Sequence, residues 1–283
     1  MLKKIFSISL IFIAFHSLAQ SPVISAKDFA AELKANKSLV VIDVNGADIY
    51  SKQHIQGAIN IPHKELYKAG PVEGQVKPAE ELAVIFGKKG VSNTSKFVLY
   101  DDGSSKYNSR VWWILKTVGA TDVSLLLFNM DQFSAARIPL TVNPSTVKST
   151  TFTVAESTYK TITMADVQNR AEGTLLLDAR EKDEFEGADV AKKSNGHIPG
   201  AVWMNFKEVL TSTGAYKSKD EIIAAAAKFG ATPEKPIIVY CNSGIKAAVL
   251  YLALKEIAGF QNVGNYVGSY ADWTTVPENS IVK

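Results

Sequence analysis

The chain carries a single cysteine among its 283 residues, Cys241, and that scarcity excludes an internal disulfide. A surplus of one charge is missing as well. The 31 Lys and Arg against 28 Asp and Glu leave a formal net charge of +3, and the basic residues are dispersed. That excludes the basic face of a nucleic-acid binder and the cationic patch of a membrane-surface protein. Long apolar runs are also absent. The apolar stretch 5–15 has 11 residues, against the roughly 20 needed to span a bilayer. What remains is ordinary for a folded protein: 46% hydrophobic and 21% charged residues, over a length that suits one or two domains.

The N-terminal stretch has a different meaning. Lys3 and Lys4 precede it, and Ser17-Leu18-Ala19 sets small residues at the first and third places before Gln20. This is the order of a secretory signal peptide. Residues 1–19 are expected to be cleaved near Ala19-Gln20, leaving an exported, periplasmic chain with no membrane attachment. In an oxidising compartment a lone thiol is open to over-oxidation. Its retention points either to deep burial or to a chemical role.

Cys241 stands at a telling place. Residues 237–240 (IIVY) are a short, β-branched apolar run that suits a buried strand, and 247–254 (AAVLYLAL) suit a buried helix. Between them Cys241-Asn242-Ser243-Gly244-Ile245-Lys246 form a tight turn. A cysteine on a strand-to-helix turn faces the unpaired N–H groups of the first helical turn. Those donors and the helix dipole favour the thiolate, which is the nucleophile. Lys246 adds a positive charge. The other reading is a structural thiol buried in the core.

The rest of the chain is a duplication. Tyr100 and Tyr240, Gly119 and Gly259, Val123 and Val263, and Phe133 and Trp273 are each 140 positions apart. A fixed offset with matching element order indicates an internal repeat. Strands are expected at 39–43, 97–101 and 123–128, and again at 175–178, 237–240 and 263–266. Helices are expected at 25–33, 78–86 and 109–118, and again at 164–170, 219–229 and 247–256. This alternation predicts α/β units with a parallel sheet covered on both faces. Domains are expected at 20–137 and 161–283. Residues 138–160, rich in Ser, Thr and Pro without a helical period, are expected to form a surface linker. Asp101 occupies the cysteine's place in the first unit. Ligands of such sheets bind beyond the carboxyl ends of the strands, so the second unit is the chemical one.

Taken together, Leu177-Asp178-Ala179-Arg180, Gly196-His197-Ile198-Pro199-Gly200-Ala201, Cys241-Asn242-Ser243-Gly244 and Gly268-Ser269-Tyr270-Ala271-Asp272-Trp273 resemble the two-domain rhodanese family of thiosulfate and 3-mercaptopyruvate sulfurtransferases. Tyr100-Asp101 and Ser109-Arg110-Val111-Trp112-Trp113 resemble its inactive unit. The resemblance implies two tandem rhodanese-like domains and a Cys241 persulfide. It implies a small sulfur donor, a thiol or cyanide as acceptor, and neither metal nor organic cofactor. The expected site is Cys241 as nucleophile with Asn242, Ser243, Gly244, Ile245 and Lys246 binding persulfide and substrate. Asp178 and Arg180 are expected to support the loop or the inter-domain contact. His54 matches a first-domain histidine placed near Ser243 in the mercaptopyruvate enzymes, or is a turn residue. The uncharged Asn242 and Ser243 resemble the mercaptopyruvate type of loop.

Some residues depart from that pattern. Lys246 replaces a Thr or Arg. Glu184 stands where a carboxylate-binding Arg is expected, and Lys192 and Lys193 stand where a further Arg is expected. Asn129 and Met130 replace a glycine pair. Tyr270 and Trp273 are read as core residues. A persulfide carrier with little turnover on small donors is the alternative. A cysteine phosphatase or arsenate reductase is excluded, since the sixth residue after Cys241 is Ala247 and no Arg caps the loop.

Overall fold

The computed structural model describes residues 21–127, 129–159, 161–188 and 195–283. The expected leader and Lys192 and Lys193 lie outside them, as do Phe128 at the end of one expected strand and Lys160 at the end of the expected linker. Ser25 caps the first helix, Ala26–Ala35, by accepting from the Asp28 amide at 3.1 Å. Two five-stranded, all-parallel sheets follow. The first runs Val23–Ile24, Asp122–Leu126, Lys96–Tyr100, Val40–Asp43, Ile59–Asn60 across its width. The second runs Thr161–Ile162, Val263–Tyr266, Ile237–Tyr240, Leu175–Asp178, Ala201–Trp203. The two orders are the same strand for strand, which is the duplication expressed in space. Ile237–Tyr240 is central and buried throughout, as its apolar run requires.

The helices Lys106–Thr117 and Ile245–Leu252, equivalent in the repeat, pack against each other. Val111, Trp112, Trp113 and Leu115 on one and Ala247, Ala248 and Tyr251 on the other belong to a single continuous core. The alanines let the backbone of the second helix approach closely, and the two tryptophans fill the space beside it. Smaller cores lie on the outer faces of the two sheets.

Residues 138–159 lie on the surface, as expected of a linker, but are fastened to the first domain. Ile138 and Phe152 are buried. Leu140–Thr141 pairs antiparallel with His54–Ile55. The Thr150 amide donates to the Gly87 carbonyl at 2.9 Å, and Tyr159 meets Trp112 edge-on with ring centres 5.6 Å apart. The segment is a strap across the first domain. Its composition hides this because the backbone, rather than a periodic side-chain face, makes most of its attachments. Phe152→Ala is therefore expected to cost about 3–5 kcal/mol, the usual loss for a buried Phe. A urea midpoint unchanged within error would show the strap to be dispensable packing.

Candidate active site

Cys241 follows the carboxyl end of the central strand and is 1% exposed. Its amide donates to the Ser269 hydroxyl at 3.2 Å, and its carbonyl accepts from the Tyr270 amide at 2.9 Å. The Ala271 amide holds the Asn242 carbonyl at 2.9 Å. The short helix Ser269–Trp273 thus fixes the loop from its own domain. Ser269 has a positive φ of 56° and a fully buried side chain. Its importance was masked by the aromatics of the same motif, Tyr270 and Trp273, which sit in the outer core.

The other side of the loop is closed by the first domain. Ser243 packs under Gly74, whose φ is +74°, and a Cβ there would lie 2.4 Å from the Ser243 carbonyl oxygen. Only glycine satisfies both the conformation and the approach. Asn242 donates to Glu73 at 3.3 Å. The Arg110 side chain, fully buried, reaches from the first-domain helix to the carbonyls of Gly244 at 3.2 Å, Ser243 at 3.5 Å and Gly74 at 2.9 Å. Gly244 begins the second-domain helix with φ +78°, and a Cβ there would lie 2.7 Å from Arg110. Glu73 and Gly74 were not singled out from the sequence, and Arg110 was read only as part of the motif Ser109-Arg110-Val111-Trp112-Trp113, with no role at the loop. The available signal was a lone Arg immediately before the apolar run Val111-Trp112-Trp113.

The remaining expected residues fall into separate groups. Asp178 and Arg180 form a buried pair, with Nε to both carboxylate oxygens at 2.9 and 3.0 Å, beneath the strand end rather than in the loop. Lys246 is held by Glu184 at 3.2 Å and lies 3.9 Å from Glu181. Glu181 is itself bound by Lys207 at 3.0 Å. Ile245 opens the helix. Asn129 caps the helix Met130–Ala136, accepting from the Gln132 amide at 3.0 Å, so its replacement of glycine has a local cause.

His54 is buried in the first domain. Its Nδ1 lies 2.8 Å from the Tyr50 carbonyl, its Nε2 lies 3.1 Å from the Asn143 carbonyl, and its ring stacks on Tyr50. His197 does the same in the second domain, with Nδ1 2.9 Å from the Phe185 carbonyl and its ring stacked on Phe185. The matched pair staples each turn to the helix before it. His54→Gln is expected to lower stability while the folded fraction keeps its rate of sulfur loading. A rate loss per folded molecule above about tenfold, the lower end of what general acid–base loss produces, would give His54 a chemical role.

The first-domain loop provides an internal comparison. The Asp101 carboxylate accepts from the amides of Gly103 at 2.9 Å, Tyr107 at 3.1 Å, Ser105 at 3.3 Å and Asn108 at 3.5 Å. The loop is an anion cradle filled by its own side chain. Burial, then the neighbouring Asp102, raises the Asp101 carboxyl to about 6, with these amides opposing. The native state therefore keeps a proton that the unfolded chain gives up near 3.8. Stability falls as pH rises through that window. Asp101→Asn is expected to flatten the fall by up to about 3 kcal/mol, at about 1.4 kcal/mol per pH unit. Urea melts from pH 4 to 7 that stay parallel for the two chains would contradict this.

A family model described as "Rhodanese-like domain" matches residues 25–136 and again 163–275. The chain is 30% identical to a Pseudomonas aeruginosa protein named "Probable 3-mercaptopyruvate sulfurtransferase", over 93% of this chain and 99% of that one. It is 26% identical to the "Thiosulfate sulfurtransferase" of Azotobacter vinelandii, over 92% and 96%. Its structure is similar to that of the 3-mercaptopyruvate sulfotransferase SseA from Escherichia coli, with a TM-score of 0.79 at 28% identity over 88% of this chain and 98% of that one. An anaerobic ergothioneine biosynthesis enzyme from Chlorobium limicola shares the fold, with a TM-score of 0.81 at 19% identity, over 93% of this chain and 70% of that one.

Proposed function

For this chain, which belongs to the rhodanese family and is a sulfurtransferase, we propose a mechanism that runs through a Cys241 persulfide. The observation that carries it is the Asp101 cradle. A carboxylate oxygen lies two bonds beyond Cβ, and so does the outer sulfur of a cysteine persulfide. On the 140-residue offset, the donors of Gly103, Ser105, Tyr107 and Asn108 correspond to Ser243, Ile245, Ala247 and Ala248. Cysteine brings no oxygen to that ring, and the outer sulfur of a Cys241 persulfide would stand where the Asp101 oxygen stands.

The Cys241 thiolate attacks the outer sulfur of the donor. A new S–S bond forms, the donor's bond to that sulfur breaks, and the leaving group departs with the bonding pair. Cyanide or a thiolate then takes the outer sulfur and returns the Cys241 thiolate. This is a two-step covalent cycle, with the amides stabilising the persulfide anion. Thiosulfate or 3-mercaptopyruvate is the proposed donor, as the names of the relatives suggest. Asn242 and Ser243 favour the second. Glu184, held to Lys246, supplies no guanidinium fork for its carboxylate. A leader at 1–19 and export to the periplasm belong to the same proposal. N-terminal sequencing of the exported chain is expected to begin at Gln20.

Intact-mass measurement tests the chemistry. Incubation with a competent donor is expected to add about one sulfur mass to the parent chain and nothing to Cys241→Ser, with cyanide removing the addition. A loaded form that accumulates yet passes sulfur to neither cyanide nor small thiols would favour a carrier, which the burial of Cys241 would suit. No addition from either donor would overturn the persulfide reading.

A further inference from the structure

Arg110 presents a charge problem. It is 0% exposed, and its hydrogen bonds run to three main-chain carbonyls. Its Nε has no hydrogen-bond partner among the described residues. A cation this deep is costly unless an anion compensates it. Burial pushes the guanidinium below its usual range, and the groups acting in the opposite direction are the Tyr67 hydroxyl and the Cys241 thiol. Both come from facing elements, Tyr67 from the turn that leads into the covering segment and Cys241 from the loop itself. No carboxylate is among them.

The neighbouring charges are otherwise engaged. Lys246, the loop's own cation, is held by Glu184. Glu73 accepts from Asn242. His63 stacks on Tyr107 and places Nδ1 3.1 Å from the Tyr67 hydroxyl. Burial first, then Lys64, Arg110 and Lys106, lowers it to about 4, with Asp102 opposing. It is therefore neutral at neutral pH and does not compete as a cation. Burial raises Tyr67 to about 12, so its hydroxyl stays protonated.

The repeat sharpens the point. On the 140-residue offset the counterpart of Arg110 is Leu250, on the helix that faces the Asp101 loop. The arginine is present only on the side that faces the cysteine.

We propose that Arg110, a first-domain residue, is the counter-ion of the Cys241 thiolate and persulfide and the positioning residue for its loop, with Tyr67 beside it. This rests on the persulfide reading above. Across a trans peptide the C=O and the following N–H point in opposite directions. By taking the carbonyls of Ser243 and Gly244, Arg110 turns the amides of Gly244 and Ile245 to the opposite side of the loop. One side chain thus orients the cradle and sets its charge behind it, on the carbonyl face of the loop.

The test is the pH profile of persulfide loading, followed by intact mass on the folded, size-fractionated chain. Arg110→Gln is expected to slow loading at pH 7 by about tenfold or more and to move the acidic limb of the profile up by about one pH unit, the change that about 1.4 kcal/mol of lost charge interaction produces. Arg110→Lys, which keeps the charge without the fork, is expected to restore the limb but only part of the rate. An Arg110→Gln profile that superimposes on the parent's, with only the folded fraction reduced, would overturn the proposal while leaving the persulfide reading intact. If Arg110→Gln does not fold, Arg110→Lys decides, since a limb displaced as far as a lost charge would require overturns the counter-ion role. Failure of the parent chain itself to load sulfur would overturn both.

Discussion

The contact on which the rest of this molecule depends is the packing of helix Lys106–Thr117 against helix Ile245–Leu252. Each is the crossover helix that follows the central strand of its sheet. Packing them together merges two duplicated domains into one core. It also brings the loop at the start of each helix under the neighbouring domain. Gly74 of the first domain closes over Ser243, and Gly214 of the second approaches the Gly103 carbonyl. Ser105 donates to the Gly214 carbonyl at 2.8 Å, and Ser109 lies 2.7 Å from the Tyr216 hydroxyl. The covering is reciprocal because the duplication is.

Within that symmetry the two loops have diverged in a physically simple way. One stores its own anion, Asp101, in a ring of amides. The other carries a thiol and receives an arginine from across the interface. The first domain is therefore more than a scaffold. It contributes the glycine, the glutamate and the arginine that contact the second domain's loop. An isolated second domain would have the cysteine without the wall that encloses it.

Much of this was legible in the sequence. The 140-residue offset, the apolar strand before Cys241 and the Ser25 cap are local or periodic signals, and the structure reproduces them at the expected places. The fastening of the surface segment 138–159 to the first domain was not legible, because its attachments are scattered hydrogen bonds to main-chain groups and isolated buried residues. Of the two readings of His54, beside Ser243 or as a turn residue, its contacts are those of the turn residue. Its partners, the Tyr50 and Asn143 carbonyls, are backbone groups that carry no sequence signature.

The sequence by itself determined the fold class, the repeat and the position of the single cysteine at a strand-to-helix turn, because strand and helix periodicity and cysteine count are properties of the chain alone. Only the tertiary structure decided what surrounds that cysteine. Arg110 lies 131 positions before Cys241, and Lys246 has its charge taken up by Glu184, more than 60 positions before it. Such pairings arise when separate elements pack, and the energies that fix them, burial of charge and close approach at glycine, depend on distances that no local pattern encodes.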